Sequence, residues 1–461
     1  MNFVALLEDF LKNHPNVDYV ELVLVDPNGI VRGKWAPVAS LKKAFSDGVN
    51  FPLSLHGLDV WGNEVEDTGL HISSGDLDGF CMAVPHTLSA VPWGPTEASE
   101  KSDSAEAATT AQILLQTLTP ERQFFGGCSR SVLEQVVGRL SARGLSAVCA
   151  FELEFHLLQS PASSGEPFVM ASHEEMPDAQ FMYGLDALAE KAPVFRDIRN
   201  AAKWAGLPVD TIVKEAGLGQ YEVNLNHRAD ALRAADDVIL LKRIVKECAR
   251  MNGYEATFMA KPVIGQPGNG MHVHASLLDE DGKNIFAGAE GDGRLRHAVA
   301  GLLSSMQEMA LVFVNTRNGF RRMAPGSYAP TRVNWGANNR SVSVRLPAAP
   351  DVAKRLEHRV SGADANPYLV LAAILQGIDE GLQVAQEPPA ELVGNAYEEA
   401  TPNRGESLPD AQQAALDLFK NSEFAASALG QQMRDNLVAI KQAEIDGFRD
   451  DVSPLERRTY L

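Results

Sequence analysis

Residues 151–158 read FELEFHLL. In a strand, successive side chains point to opposite faces. Phe151, Leu153, Phe155 and Leu157 then share one face, and Glu152, Glu154 and His156 share the other. Two carboxylates two residues apart on one strand face sit roughly 6–7 Å apart and repel each other. Water, a basic partner or a metal ion must offset that repulsion. The strand is unusually long, because SAVCA (146–150) precedes it without a break.

Outward from this strand, polar-faced strands recur. Upstream, SRSVLEQVVGRLSARG predicts a helix ending at Gly144. Downstream, GLGQYEVNL places Glu222 on a strand after a Gly-rich entry, with Glu215 earlier in VKEAG. GMHVHASLLD puts His272, His274 and Ser276 on one face and closes with the turn DEDGK. RSVSVRLP is a short alternating strand, and KRLEHR sets Glu357 between Arg355 and Arg359. A long helix at about 230–251 separates the predicted strands YEVNLN and FMAKPVI. GRLRHAVAGLLSSMQEMALVFV predicts one long helix, and NPYLVLAAILQGIDEGL a buried one begun by Asn366 and Pro367.

The first part of the chain has another rhythm. Apolar spacing over 3–13 predicts an amphipathic helix, and DYVELVLVDPNGIVRGKWAPV predicts two strands about a DPNG turn. LKKAFSDG is a short helix, 51–93 short strands and long loops, and QILLQTL a strand closing this unit. The stretch 94–109, GPTEASEKSDSAEAAT, is small, polar and acidic, and predicts a flexible insertion or exposed loop. The C-terminal part predicts polar helices.

Each polar feature has a plain reading when taken alone. Glu152 and Glu154 can be a solvated strand face, His272 and His274 a satisfied pair on a wet strand. Arg322, Arg340, Arg345, Arg355 and Arg359 can balance an acidic surface. Their co-occurrence argues for chemistry, since several polar-faced strands in one region are hard to bury without ions. Five glutamates and a histidine could supply two adjacent sites for hard cations, Mg²⁺ or Mn²⁺. Arginines bind phosphate and carboxylate bidentately. Metal-holding acids beside arginines point to phosphoryl transfer more than to simple hydrolysis. Neither a GxxxxGK[ST] loop nor a clean GxGxxG is present, so any nucleotide site is of another kind.

The chain has 461 residues, a length for two or three domains, and a net charge of -19. That charge disfavours nucleic acid and anionic membranes as partners. No apolar run approaches a membrane span, and the N-terminus lacks the basic region of a signal peptide. Cys81, Cys128, Cys149 and Cys248 form no CxxC pair, which fits reduced thiols in a cytoplasm.

Six stretches together resemble the glutamine synthetase family: FELEF, KEAGLGQYEVN, TFMAKPVIGQPGNGMHVHAS, RRMAPGSYAP, NNRSVSVRLP and KRLEHRVSGADANPYLVLAA, over about residues 150–380 in the family's order. The resemblance extends more loosely to the N-terminal hairpin. It implies an α+β chain: a β-grasp domain at 1–124, then at 125–461 a glutamine-synthetase-like catalytic domain with a curved antiparallel sheet and helices. It also implies active sites between subunits of a homo-oligomer, a dodecamer of two hexameric rings. By motif, Glu154, Glu215 and Glu222 are implied ligands of one metal. Glu152, His272 and Glu357 are those of a second, against the ATP phosphates. Arg322, Arg359 and the backbone at Gly268 would hold L-glutamate. Arg340 and Arg345 would face the transferred phosphate, with Arg340, Arg359 and Arg345 the catalytic set. His274, Ser276, Arg340 and Arg355 would lie along ATP. RMAPGSYAP would be the loop that shields γ-glutamyl phosphate from water.

Departures from the family pattern concern the amine. Ammonia-using members carry a glutamate in the loop pattern PG-x-E-AP, where PGSYAP has Tyr328. They also carry an acidic FDGSS segment, where the nearest stretch here, FPLSLHG, has no aspartate. Pro267 stands where an Asn touches glutamate. PGNGMH and PGSYAP resemble the γ-glutamylpolyamine and related γ-glutamylamine synthetases. A small amine with an aliphatic body, first a polyamine in a catabolic route, is the implied substrate; a monoamine or ammonia is the alternative, and a non-catalytic relative or a metal-dependent hydrolase lies in other classes. Tyr328 and Trp61 are candidate walls for the amine. His156 matches no family ligand and reads as a structural or supporting residue. Tyr397, in GNAYEEA, lies near where some bacterial members are adenylylated, but its flanks do not match, and it reads as an ordinary exposed tyrosine.

Overall fold

The computed structural model describes residues 3–94, 109–159 and 182–460. Apart from its end residues Gly94 and Thr109, the predicted insertion lies outside them. The chain is α+β, with a β-grasp N-terminal sheet followed by a larger, curved, mainly antiparallel sheet backed by helices.

The first sheet uses β1 (Tyr19–Val25), β2 (Val31–Pro37), β3 (Val49–Pro52), β4 (Asp78–Ala83), β5 (Ser89–Val91) and β6 (Thr110–Leu118). Its order is β2-β1-β6-β4-β3, with β5 on β6 and β1 parallel to β6. The DPNG turn forms as predicted: Asp26 accepts from the Ile30 amide at 2.9 Å, and Gly29 takes the left-handed φ of +77°. Strand alternation divides the hydrophobic residues. Val20, Leu22 and Leu24 pack under the helices Phe3–Asn13 and Ser40–Ser46. Val23, Val25 and Leu114 face the larger core.

The second sheet uses β7 (Ser146–Gln159), β8 (Val209–Lys214), β9 (Gln220–Leu225), β10 (Tyr254–Thr257), β11 (Met271–Leu278), β12 (Trp335–Ala337), β13 (Val344–Leu346) and β14 (Leu356–His358). Its order is β12-β13-β14-β11-β7-β9-β8, with β10 also on β7. On β7 the predicted apolar face is complete: Phe151, Leu153, Phe155 and Leu157 are fully buried in one core with the helices Ala231–Met251 and Pro367–Val384. The latter helix crosses Gly291–Ser305 at glycines. A Cβ on Gly301 would meet the Gly377 carbonyl oxygen at 2.0 Å, so a side chain there would force the helices apart.

Two expectations fail. FMAKPVI is not a strand; the strand lies just before it, at Tyr254–Thr257. Pro262 has no N–H to donate, and the backbone bonds of this stretch go elsewhere: the Lys261 amide to Asn318 Oδ1 at 2.7 Å, and the Asn269 amide to the Ala260 carbonyl at 2.8 Å. The long helix predicted through residue 314 breaks into Gly291–Ser305 and Ala310–Phe313. Tighter turns join the pieces, with Ala310 N bonding Gln307 O at 3.2 Å. Met306 and Met309 stay buried there, so the apolar rhythm survives the change in backbone. Among the described residues no helix is long and apolar enough to cross a membrane, and the four cysteines are buried and form no disulfide.

Candidate active site on the polar face of the large sheet

Strand register assembles the polar face. β7 pairs with β9 so that Glu154 lies opposite Glu222, and with β11 so that Glu152 lies opposite His272. β11 and β14 put His274 opposite Glu357, and β13 and β14 put Arg345 opposite Glu357. Residues scattered over some two hundred positions thus form one contiguous band. Glu152 accepts hydrogen bonds from His272 Nδ1 at 3.1 Å and His274 Nε2 at 2.9 Å. Donor atoms of Glu152, Glu222 and His272 lie within 4.8 Å of one another, as do those of Glu152, His274 and Glu357. This grouping cuts across the division implied by motif, because Glu152 draws both imidazoles toward itself.

Electrostatics make the band a candidate cation site. Burial pushes the Glu222 carboxyl up, Glu152, Glu154 and Glu215 add like charge, and it reaches about 9. Burial and Glu154 raise Glu215 to about 7, with Arg340 opposing. Burial also disfavours charge on Glu152 and Glu357, but their partners win. Hydrogen bonds from His272 and His274 hold Glu152 well below the carboxylate range. Arg359, with both imidazoles, holds Glu357 at about 2. Carboxylate oxygens with an imidazole suit Mg²⁺ or Mn²⁺, and a divalent cation would relieve the repulsion that raises Glu222 and Glu215.

Arginines border the acids. Glu357 accepts from Arg345 at 2.7 Å and from Arg359, and Arg345 also donates to Asn338 Oδ1 at 2.8 Å. The Nε atoms of Arg345 and Arg359 are buried without a hydrogen-bond partner, a sign of unspent capacity for an anion. Arg322 is buried and donates to the Val360 carbonyl at 2.8 Å. Arg355 donates to His274 Nδ1 at 3.2 Å, while Ser276 is half-buried two residues along β11. Arg340 is exposed. Gly268 has no room for a side chain, since a Cβ would lie 2.3 Å from the Ala260 carbonyl oxygen.

Other residues join that the sequence did not single out. The Gly270 amide donates to Glu154 at 2.6 Å, and Gln220 donates to the Gly268 carbonyl at 3.0 Å. Gln220 lies two residues before Glu222 on one strand, so its side of the strand was readable. His156 is fully buried, bonds Asn269 Oδ1 at 2.8 Å through Nδ1, and is lowered to about 4 by burial.

The amine-wall candidates separate. Tyr328 lies on the 323–330 loop, 65% exposed, with a left-handed φ of +58°. Such a backbone costs a bulky residue roughly 1–2 kcal/mol. Trp61 instead packs on Phe448, with centroids 5.0 Å apart, and against Gly447 of the helix Gln431–Asp450. Tyr397 is not an ordinary exposed tyrosine. It is half-buried, and its hydroxyl donates to the Ala329 carbonyl at 3.1 Å, a contact that depends on chain folding and left no local signal.

Residues 126–460 match the family model of the glutamine synthetase catalytic domain. The chain belongs to the glutamine synthetase family. It is similar to the gamma-glutamylputrescine synthetase PuuA of Escherichia coli K12, 35% identical over 98% of this chain and 94% of that one. It is also similar to a glutamate–isopropylamine ligase of a Pseudomonas species, 31% identical over 99% and 98%. Among solved structures, an ADP complex of GmaS superposes with a TM-score of 0.84 at 26% identity, over 99% of each chain.

Proposed function

We propose that this chain is an ATP-dependent ligase joining the γ-carboxylate of L-glutamate to an amine through γ-glutamyl phosphate. We take the amine to be a polyamine, putrescine or spermidine, in a catabolic route. The observation that carries the reading is the band of Glu152, Glu154, Glu222, His272 and Glu357 bordered by Arg322, Arg345 and Arg359. Likeness to a putrescine-using relative supports the choice of amine.

Glu154, Glu215 and Glu222 would hold one divalent cation, and Glu152, His272 and Glu357 a second, which when bound supply charge neutralisation at the ATP phosphates. Arg322, Arg359 and the Gly268 backbone would orient glutamate, with His274, Ser276 and Arg355 along the nucleotide. A γ-carboxylate oxygen attacks the γ-phosphorus of ATP, and ADP leaves. The amine nitrogen then attacks the acyl carbon, phosphate leaves, and the nitrogen gives up a proton. Arg340 and Arg345 would stabilise charge on the phosphoryl group as it moves. Ties to Glu357 and Asn338 preset Arg345 for that task.

Tyr328 in place of the loop acid favours an amine with an aliphatic body over ammonium. A small apolar monoamine is the second reading, favoured by likeness to the isopropylamine ligase. The test is phosphate release from ATP with glutamate and Mg²⁺ across diamines, monoamines and ammonium. Release with diamines at low concentration is expected; release with ammonium at equally low concentration would refute the assignment. We also infer a cytoplasmic homo-oligomer, a dodecamer of two hexameric rings, from family membership; sedimentation of the purified protein at monomer mass would overturn the assembly.

A further inference from the structure

We propose that Tyr397 is a positioning residue, whose hydroxyl holds the 323–330 loop and with it the backbone that carries Tyr328. The ends of the loop are packed, with Met323 against the main core and Ala329 buried, but its hydrogen bonds are mostly its own. Ser327 Oγ bonds the Arg322 carbonyl at 2.9 Å, but that tie lies within the segment. Among the described residues, the Tyr397 hydroxyl provides the one side-chain hydrogen bond reaching this loop from elsewhere, at the Ala329 carbonyl. The bond falls on the residue after Tyr328, where the left-handed backbone most needs a restraint.

Tyr397 is itself held firmly. Its amide bonds Asn395 Oδ1 at 3.0 Å, and the neighbouring Ala396 amide bonds Ser341 Oγ at 3.0 Å. Ala396 is buried with Leu392 and Val342, and Val342 lies on the segment that leads into β13 and Arg345. The loop is therefore tied to the same framework that carries the phosphate-facing arginine. Burial keeps the Tyr397 hydroxyl protonated, at about 12, even though Arg359 and Arg322 favour its anion, so it remains a donor at working pH.

The catalytic consequence rests on the ligase reading; the contact does not. A loosened loop would admit water to the acyl phosphate and blur the position of Tyr328. Tyr397→Phe keeps the ring and removes only the hydroxyl. Hydrogen exchange of the full-length protein, followed by mass spectrometry, should rise several-fold over 323–330 and stay unchanged over β7. In the ligase assay with putrescine, phosphate released per amide formed should rise several-fold, and the amine KM with it, while the ATP KM holds. Unchanged loop exchange overturns the proposal whatever the assay gives. Faster exchange with normal coupling and a normal amine KM overturns the positioning role. Faster exchange in a protein whose native form ligates no amine supports the contact and refutes the ligase reading instead.

Discussion

Asp236 and Glu222 are both buried carboxylates, and the fold treats them in opposite ways. Asp236, on the helix Ala231–Met251, accepts from Arg130 at 2.9 and 3.0 Å, from the Tyr368 hydroxyl at 2.6 Å and from His86 at 3.0 Å. Burial opposes its charge, yet Arg130 and these donors keep it below the usual carboxylate range. Glu222 is about as hidden, but its neighbours are Glu152, Glu154 and Glu215, and it rises to about 9. A structural acid is folded together with its counter-charge. Glu222 is folded together with more acid, and the charge that would neutralise it has to come from outside the protein.

Four changes probe that contrast. Asp236→Ala leaves Arg130 buried without its partner, and should cost about 3–5 kcal/mol in urea unfolding; a loss below ~1 kcal/mol would mean the cluster is not structural. On the proposed metal role, Glu154→Ala should reduce turnover at least about a hundredfold, while the thermal melt falls only by what the Gly270 amide bond contributes. Unchanged turnover would remove Glu154 from the site.

The third change concerns pH. Metal-free Glu222 carries a folded pKa raised above its unfolded value of 4.5. Its contribution to stability is therefore intact below about 4.5 and lost as pH rises through about 9. Glu222→Gln removes that titration. Measured in chelator, the variant should match the native protein near pH 5 and become progressively more stable than it up to about pH 9, after which the gap should level off. A gap independent of pH would show that Glu222 is already neutralised by the protein. Saturating Mg²⁺ should stabilise the native protein more than the variant, which keeps the second proposed cation site. The smallest effect is expected from Tyr328→Glu. An acid in that loop should shift the kcat/KM ratio of ammonium to putrescine by about tenfold toward ammonium, and an unaltered ratio would take Tyr328 out of the amine site.

The chain itself carries the alternation of FELEFHLL. The backbone pleat sends adjacent side chains to opposite faces, so a buried face and an acidic face were both legible on β7, as were the DPNG hairpin and the helix begun by Asn366 and Pro367. Where local bonding failed to follow the apolar rhythm, at FMAKPVI and at Met306–Met309, reading along the chain misjudged the element. What only the tertiary structure decided is which residues meet. Glu152 and His272 lie 120 positions apart, Asp236 and Arg130 lie 106 apart, and Tyr397 and Ala329 lie 68 apart. Periodicity tells which face a side chain takes, because that depends on the backbone at the residue itself. Whether the opposite position holds a base, an acid or a carbonyl depends on strand register and helix packing, which the whole core sets at once.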